Sequence, residues 1–236
     1  MAKKLSKSDK ITGAFDLFPK SAEAVKRNLN TFVVLWLLPL VFILLSIIFQ
    51  RDRTRVDTAT WSNPFSGLSG TSIAAIIGAI VIVSLVVAAI GILIQSMTFV
   101  LQLEAAKGNT PDLHHVFEDG KKYWLRLVGL FITVGFLVLI GLIAFIVPGV
   151  IFFRRYYLSS FALIDKDSTI KEAMKESARL SKPPYNITVW SILGVTVLLS
   201  LTGVIPVIGS LVSFFLTAFY SVAPAMRYRE LKSVVK

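Results

Sequence analysis

The chain has 236 residues, of which 55% are hydrophobic and only 17% are charged, a composition that excludes an ordinary soluble domain. It contains no cysteine, so disulfides, thiolate metal sites and thiol nucleophiles are excluded as well. In a soluble protein the net charge of +11 would indicate nucleic-acid binding. Here the basic residues lie between long apolar runs, where they act as topology signals and contacts for anionic lipid, so we expect no nucleic-acid partner.

Residues 1–30 form a basic N-terminal lead-in in which apolar residues recur at intervals. Two interpretations stay open: an amphipathic helix on the inner membrane face, or a solvated extension of the first span. The uncharged run 31–49 is long enough for that span and too long for the apolar region of a signal peptide. After a polar loop, the second span covers 71–101, which exceeds the roughly 30 Å hydrocarbon core and must tilt or protrude.

The third predicted span, 125–147, ends before Pro148-Gly149, and the fourth covers 150–164. The fourth is short and contains Arg154 and Arg155, so hydropathy alone also allows a surface segment. Charge distribution decides between them. With this span included, both termini and nearly all other basic residues fall on the cytosolic side, and the outer side keeps only Arg51, Arg53 and Arg55.

A short amphipathic helix follows the fourth span, with Thr169 and Glu172 at capping-box spacing. We expect it to lie along the inner interface with its apolar face docked. That face consists of Ile170, Ala173, Met174, Ser177 and Leu180.

The fifth and sixth spans, 187–204 and 207–226, are joined by a tight turn, and Pro224 is expected to kink or end the last one. A basic tail, 228–236, follows. The predicted architecture is therefore all-α: a membrane domain over 31–227 with six transmembrane helices in three hairpins, plus the cytosolic-side amphipathic helix.

Two of the predicted spans carry a stripe of polar residues on one helix face. The stripe of the second span contains Ser84, Gln95, Thr98 and Gln102, and that of the sixth contains Ser210, Ser213, Thr217 and Tyr220. Each stripe is either the wall of a polar path or a seam of close helix packing with hydrogen bonds across it. The residue types favour packing.

Arg154, Arg155 and Tyr156 form the one candidate ligand site, because charges within a span are costly and usually have a partner or a purpose. We expect the arginines about one turn below the outer end of the fourth span. Snorkelling to outer water is the simpler interpretation. The alternative is that Arg155 turns inward and binds the phosphate of a lipid or solute through its guanidinium fork.

The sequence predicts no catalytic and no metal-binding residues. No Asp or Glu lies within a predicted span, and there is no nucleophile-elbow, phosphate-loop or metal-ligand motif. We therefore expect no enzymatic activity and no cofactor.

Several short motifs together resemble a family of bacterial membrane proteins. They are Pro148-Gly149-Val150, Arg155-Tyr156, Ile170-Lys171-Glu172-Ala173 with Ser177 and Leu180, and Tyr228-Arg229-Glu230-Leu231. The family includes the membrane domain attached to some glycerophosphodiester phosphodiesterases and the YciC-type inner-membrane proteins. The resemblance implies six membrane helices of undefined activity. With so few residues after the sixth span, we expect no phosphodiesterase domain.

From these features we expect a multi-pass protein of the bacterial inner membrane with both termini in the cytoplasm. The leading hypothesis is a non-enzymatic protein that binds anionic phospholipid or scaffolds envelope partners, including further copies of itself. The alternative is a small-solute transporter or channel that uses the polar stripes as a path.

Overall fold

A computed structural model describes residues 11–53, 69–205 and 208–235, and every regular element in these ranges is helical. The predicted all-α fold is therefore confirmed for the described part of the chain. In order, the α-helices are α1 (Leu17–Arg27), α2 (Leu29–Arg53), α3 (Gly70–Lys107), α4 (Leu113–Ala144), α5 (Ile146–Tyr156), α6 (Ser159–Asp165), α7 (Ile170–Leu180), α8 (Asn186–Leu201), α9 (Gly209–Tyr220) and α10 (Ala223–Val234).

Four helical stretches of the described residues are long and apolar enough to cross a membrane. They are α3, α4, α8 with the 3-10 turn that follows it, and α9 with α10, which correspond to the predicted second, third, fifth and sixth spans. The first predicted span is helical within α2. Length and composition therefore support four of the six predicted spans. The loop before α3 lies mostly outside the described residues.

The fourth predicted span differs most from expectation. Instead of one helix over 150–164, the structure has α5 and α6, separated by a turn at Tyr157 and Leu158. At this turn the Ser159 hydroxyl donates to the carbonyl of Tyr156 at 2.5 Å. A serine that bonds to a backbone carbonyl in this way competes with the regular helical pattern.

The helix of the third predicted span, α4, also ends earlier than predicted, at Ala144 rather than at 147, because of Pro148. In a continuous helix its ring would clash with the carbonyl of Ala144, and it has no N–H to donate. The backbone becomes extended at Phe145 (φ −163°, ψ 148°), and α5 then begins at Ile146. Pro148 thereby falls in the first turn of a helix, where the missing N–H costs nothing.

Pro224 has the same effect in the last apolar stretch. Its ring would clash with the carbonyl of Tyr220, where α9 ends, and it occupies the first turn of α10. The predicted interruption is confirmed, and residues 223–234 form one helix that continues across the predicted boundary at 227. Most of its inner face is buried, including Arg227, Tyr228 and Leu231.

Two glycines allow α4 and α5 to form a close antiparallel hairpin. A Cβ at Gly141 would lie 2.8 Å from Cα of Gly149, and a Cβ at Gly149 would lie 2.8 Å from the backbone nitrogen of Leu142. Both distances are below any ordinary contact to Cβ, so the two backbones approach as far as glycine permits. The hairpin returns the chain toward α7.

One carboxylate, that of Asp165 at the end of α6, joins the ends of three helices. It accepts hydrogen bonds from Lys232 and from Tyr228 (3.1 Å), both on α10, and Lys107 Nζ at the end of α3 lies 3.6 Å away. Burial favours the neutral acid, but the hydrogen bond and charge of Lys232, with Tyr228 and Lys107, outweigh it. The pKa of Asp165 therefore lies below its ordinary value.

The N-terminal helix α1 packs against the same side of the bundle. The Ser21 hydroxyl donates to the carbonyl of Phe219 at 2.7 Å and accepts from the N–H of Val222 at 3.2 Å. Nearby, Arg227 donates to the carbonyl of Thr12 at 2.5 Å. The first described residues and α10 therefore lie on one side of the bundle, which is also the side of Asp165.

We expect Gly141→Ala to destabilise the protein by about 1–3 kcal/mol, because the added methyl group would force the α4–α5 hairpin apart. Gly135→Ala is the matched control on the same helix, since a Cβ there meets nothing within 4 Å. Thermal unfolding in a neutral detergent measures both. Equal midpoints for the two variants would show that the hairpin is not closely packed.

We expect Asp165→Asn to lower stability at pH 7 by about 1.5–3 kcal/mol, because it removes the charged acceptor of Lys232. Since the pKa of Asp165 is lowered, its contribution is complete above the ordinary value of 3.8 and is lost as the pH falls through the folded-state value. The difference in the free energy of unfolding between this variant and the unsubstituted protein should therefore narrow only below pH 3.8. Glu118→Gln, at an exposed carboxylate, is the control: its free energy of unfolding should equal that of the unsubstituted protein both at pH 7 and below pH 3.8.

Candidate functional site

The short helix α7 forms one wall of the candidate site. Its start is fixed by the predicted capping box: Thr169 Oγ1 accepts from the N–H of Glu172, whose carboxylate accepts from the N–H of Thr169 at 3.0 Å. Its apolar face is docked on the bundle through Ala173, Ser177 and Leu180, which are buried. The predicted amphipathic helix is thus confirmed.

A long depression, which we call the α7 groove, runs between α7 and the α4–α5 hairpin and encloses about 1180 Å³. Apolar or neutral side chains form part of its lining: Thr133 of α4, Tyr156 of α5, and Ile170 and Met174 of α7. Its cationic side chains are Arg155, Lys166, Lys171, Lys175, Arg179 and Lys182.

The acidic residues of the α7 groove are already occupied. Asp167 is paired with Lys122 (2.8 Å) and Arg126 (2.5 Å), whose hydrogen bonds lower its pKa. The hydrogen bond of Arg179, together with Lys166, lowers the pKa of Glu176 in the same way. Glu172 is engaged in the capping box, which also lowers its pKa.

Four cations of the groove, Arg155, Lys171, Lys175 and Lys182, form no ion pair with any described residue. The groove therefore presents unneutralised positive charge beside the α4–α5 hairpin. Such a surface attracts phosphate groups.

The two arginines of the sequence hypothesis are separated by the fold. Both lie in the last turn of α5, nine and ten residues beyond Phe145, whereas the sequence placed them about one turn below the outer end of a span over 150–164. Arg155 faces the α7 groove, where its backbone carbonyl accepts from Ser177 at 2.8 Å. Arg154 instead lies 5.7 Å from the ring of Trp190 on α8, and its buried Nε has no hydrogen-bond partner among the described residues.

Beside the groove, the helices enclose a second space, which we call the bundle cavity, with a volume of about 380 Å³. Tyr156 lines both the cavity and the α7 groove, so it forms their common boundary. No charged residue of the described ranges lines the cavity. Two of the three helix interruptions border it, through Tyr156–Tyr157 at one and Tyr220–Ser221 at the other.

The structure brings half of each predicted polar stripe to the bundle cavity. Gln95 and Gln102 from α3 and Thr217 and Tyr220 from α9 line it. The other members lie elsewhere.

Ser84 is exposed within a stretch of α3, from Ala74 to Ala88, in which every residue is exposed. Thr98 bonds within its own helix to the carbonyl of Ile94, Ser210 is half-buried, and Ser213 donates to carbonyls of α8. For Ser213, whose hydrogen bonds cross to α8, the packing interpretation therefore fits better than a polar path.

Sequence reasoning missed the residues that α6 and the last interruption contribute to the cavity, namely Ser159, Ser160 and Ser221. Their signal was present as polar residues flanking an apolar run, but a continuous fourth span gave no reason to place them together. Among the described residues, no group of three His, Asp or Glu side chains is placed to hold a metal ion.

Comparisons with family models, curated proteins and solved structures gave no match to this chain, so the α7 groove and the bundle cavity are interpreted from their own chemistry.

Proposed function

We propose that this chain is a multi-pass protein of the bacterial inner membrane, with six passes and both termini in the cytoplasm, that binds anionic phospholipid in the α7 groove. The observation that supports this function best is the cluster of four unpaired cations in a groove whose acids are all engaged. Each basic residue near a membrane surface contributes about 1 kcal/mol to the attraction of anionic lipid. The protein acts on no substrate in this proposal; it retains lipid or presents it to an envelope partner.

Arg155 is the central residue of the proposed phosphate site. Its guanidinium lies 6.0 Å from the ring centroid of Tyr156. It forms no ion pair with a carboxylate of the described residues, so its planar fork is available to a ligand. A fork of this kind binds two phosphate oxygens at once, which an ammonium group does not. Lys171 and Lys175, one helical turn apart on α7, add charge beside it.

A six-pass topology is supported by the contacts at the ends of the helices. The α4–α5 hairpin turns at Phe145, and α6 ends at Asp165, beside Lys107 at the end of α3. Together α5 and α6 therefore return the chain to the side from which α4 began. On that side, α7 and α10 carry three basic residues each, as expected of a cytoplasmic face.

A second candidate function is transport of a small uncharged solute. It is favoured by the position of the two helix interruptions, which meet at the bundle cavity as discontinuous helices do in transporters. Solute uptake into liposomes that contain the purified protein would support transport. Retention of lipid without uptake would support the leading proposal.

The lipid-binding proposal predicts that Arg155→Gln, Lys171→Gln and Lys175→Gln together weaken binding of phosphatidylglycerol about 10–100-fold, since three groove charges are lost. Native mass spectrometry of the protein in a neutral detergent, titrated with phosphatidylglycerol and phosphatidylcholine, measures this. The matched control replaces three cations outside the groove, Lys20, Lys26 and Lys121, by Gln and should change binding less than about twofold. Equal loss in both triple variants would reject the groove as the site.

The proposed topology predicts which positions a membrane-impermeant thiol reagent reaches. Because the chain has no cysteine, single cysteines are labelled without background. In intact cells, a cysteine at Ser62, which lies outside the described residues, should react, whereas one at Ser168 or Ser233 should react only after permeabilisation. Labelling at Ser168 in intact cells would contradict the six-pass topology.

A further inference from the structure

We propose that a single ester-linked glycerophospholipid occupies both the α7 groove and the bundle cavity, with its phosphate at Arg155 and one acyl chain inside the cavity. This inference rests on the proposed function, because it uses the same phosphate site. It goes beyond it by assigning a ligand to the cavity and by specifying the linkage of the lipid.

The walls of the bundle cavity suit a hydrocarbon chain. Its apolar lining consists of Phe99, Leu130, Phe131, Val134, Phe153 and Phe161. Its volume of about 380 Å³ lies within the range of roughly 300–1,000 Å³ that is typical of ligand pockets. Since no charged residue lines it, a phosphate group would not be accommodated there, and the charged part of an amphipathic ligand must lie outside.

Four of the hydroxyl groups around the cavity need no ligand. The hydroxyls of Ser159, Thr196, Thr217 and Tyr220 each donate to a backbone carbonyl at 2.5–3.0 Å. These side chains therefore present mainly carbon atoms to the space that they border.

Three other polar side chains that line the cavity lack partners. Gln102 is 7% exposed and Ser160 is 6% exposed, and neither side chain is in a hydrogen bond with a described residue. The Ser221 hydroxyl is buried and unpaired within the described part of the chain. A hydrocarbon chain in the cavity would keep water from the Gln102 amide and leave it without a partner, which is unfavourable. An ester carbonyl next to the acyl chain supplies the missing acceptor for Gln102.

The phosphate site and the cavity lie next to each other along two helices. On α5, Arg155 lines the groove, and the following residue, Tyr156, lines both spaces. On α4, Thr133 lines the groove and its neighbour Val134 lines the cavity. In a glycerophospholipid only the glycerol unit separates the phosphate from the ester. One molecule therefore reaches from the groove into the cavity past Tyr156, which lines both.

The test compares three ligands by native mass spectrometry and by equilibrium titration: ester-linked phosphatidylglycerol, its ether-linked analogue with the same chains, and water-soluble glycerol phosphate. We expect the unsubstituted protein to bind the ester lipid about 5–10-fold more tightly than the ether lipid, and at least about 100-fold more tightly than glycerol phosphate. Gln102→Leu, which conserves volume, should abolish the preference for the ester. Ser160→Ala serves as a second, smaller change and should reduce it.

Filling the cavity tests the position of the acyl chain. Val134→Trp should weaken binding of the ester lipid about 10-fold or more, whereas Phe136→Trp, at an outward-facing position that is 61% exposed, should not. If Val134→Trp, Gln102→Leu and Ser160→Ala all bind both lipids as the unsubstituted protein does, the cavity holds no acyl chain and this inference is wrong. The proposed function then still stands, provided that the triple groove variant weakens binding. If the groove variant has no effect, the proposed function fails and this inference fails with it.

Discussion

The ion pairs of Asp165 hold together the end of the bundle on which both sites depend. Its carboxylate connects α6 to Lys107 of α3 and to Tyr228 and Lys232 of α10. These three helices supply walls of the bundle cavity. In the sequence α6 is followed by α7, which forms one wall of the α7 groove. Because Asp165 is mostly screened from water, the loss of its charge would not be compensated by solvation. The helices around the cavity and the helix that leads to the groove are therefore joined by the ion pairs of this one carboxylate.

Pro224 and Ser159 shape the bundle cavity. The ring of Pro224 forbids a continuous last helix, and the Ser159 hydroxyl bonds to the carbonyl of Tyr156 at the turn between α5 and α6. These two interruptions bring polar side chains to the cavity, Ser159 at one and Ser221 at the other, whereas Pro148 acts away from it, at the turn of the α4–α5 hairpin. The polar part of the cavity lining therefore depends on where these two helices are interrupted.

Much of this architecture follows from the sequence, because long apolar runs and a capping box are strong local signals. The run before Lys107 becomes α3, and Thr169 with Glu172 begins α7 as expected. The turn at Tyr157 could not be predicted, because neither proline nor glycine marks it. A hydropathy profile also does not register a serine that bonds to a nearby backbone carbonyl. The α7 groove could not be predicted either. Helical periodicity shows that Arg154 and Arg155 point in different directions, but which helix each one faces depends on how α5 packs.

The contacts of Ser21 bear on the order in which the chain assembles. They join α1 to the last turn of α9 and to the residue before α10, 198 and 201 residues further along. At about 5–20 residues per second, the partner of Ser21 leaves the ribosome roughly 10–40 s after Ser21 itself. During that interval Leu17 of α1 lacks the residues that bury it in the finished bundle, Ile192, Val195 and Tyr220. A membrane surface covers an apolar helix face of this kind, so the bilayer supplies the contact for Leu17 until α8 and α9 have been made.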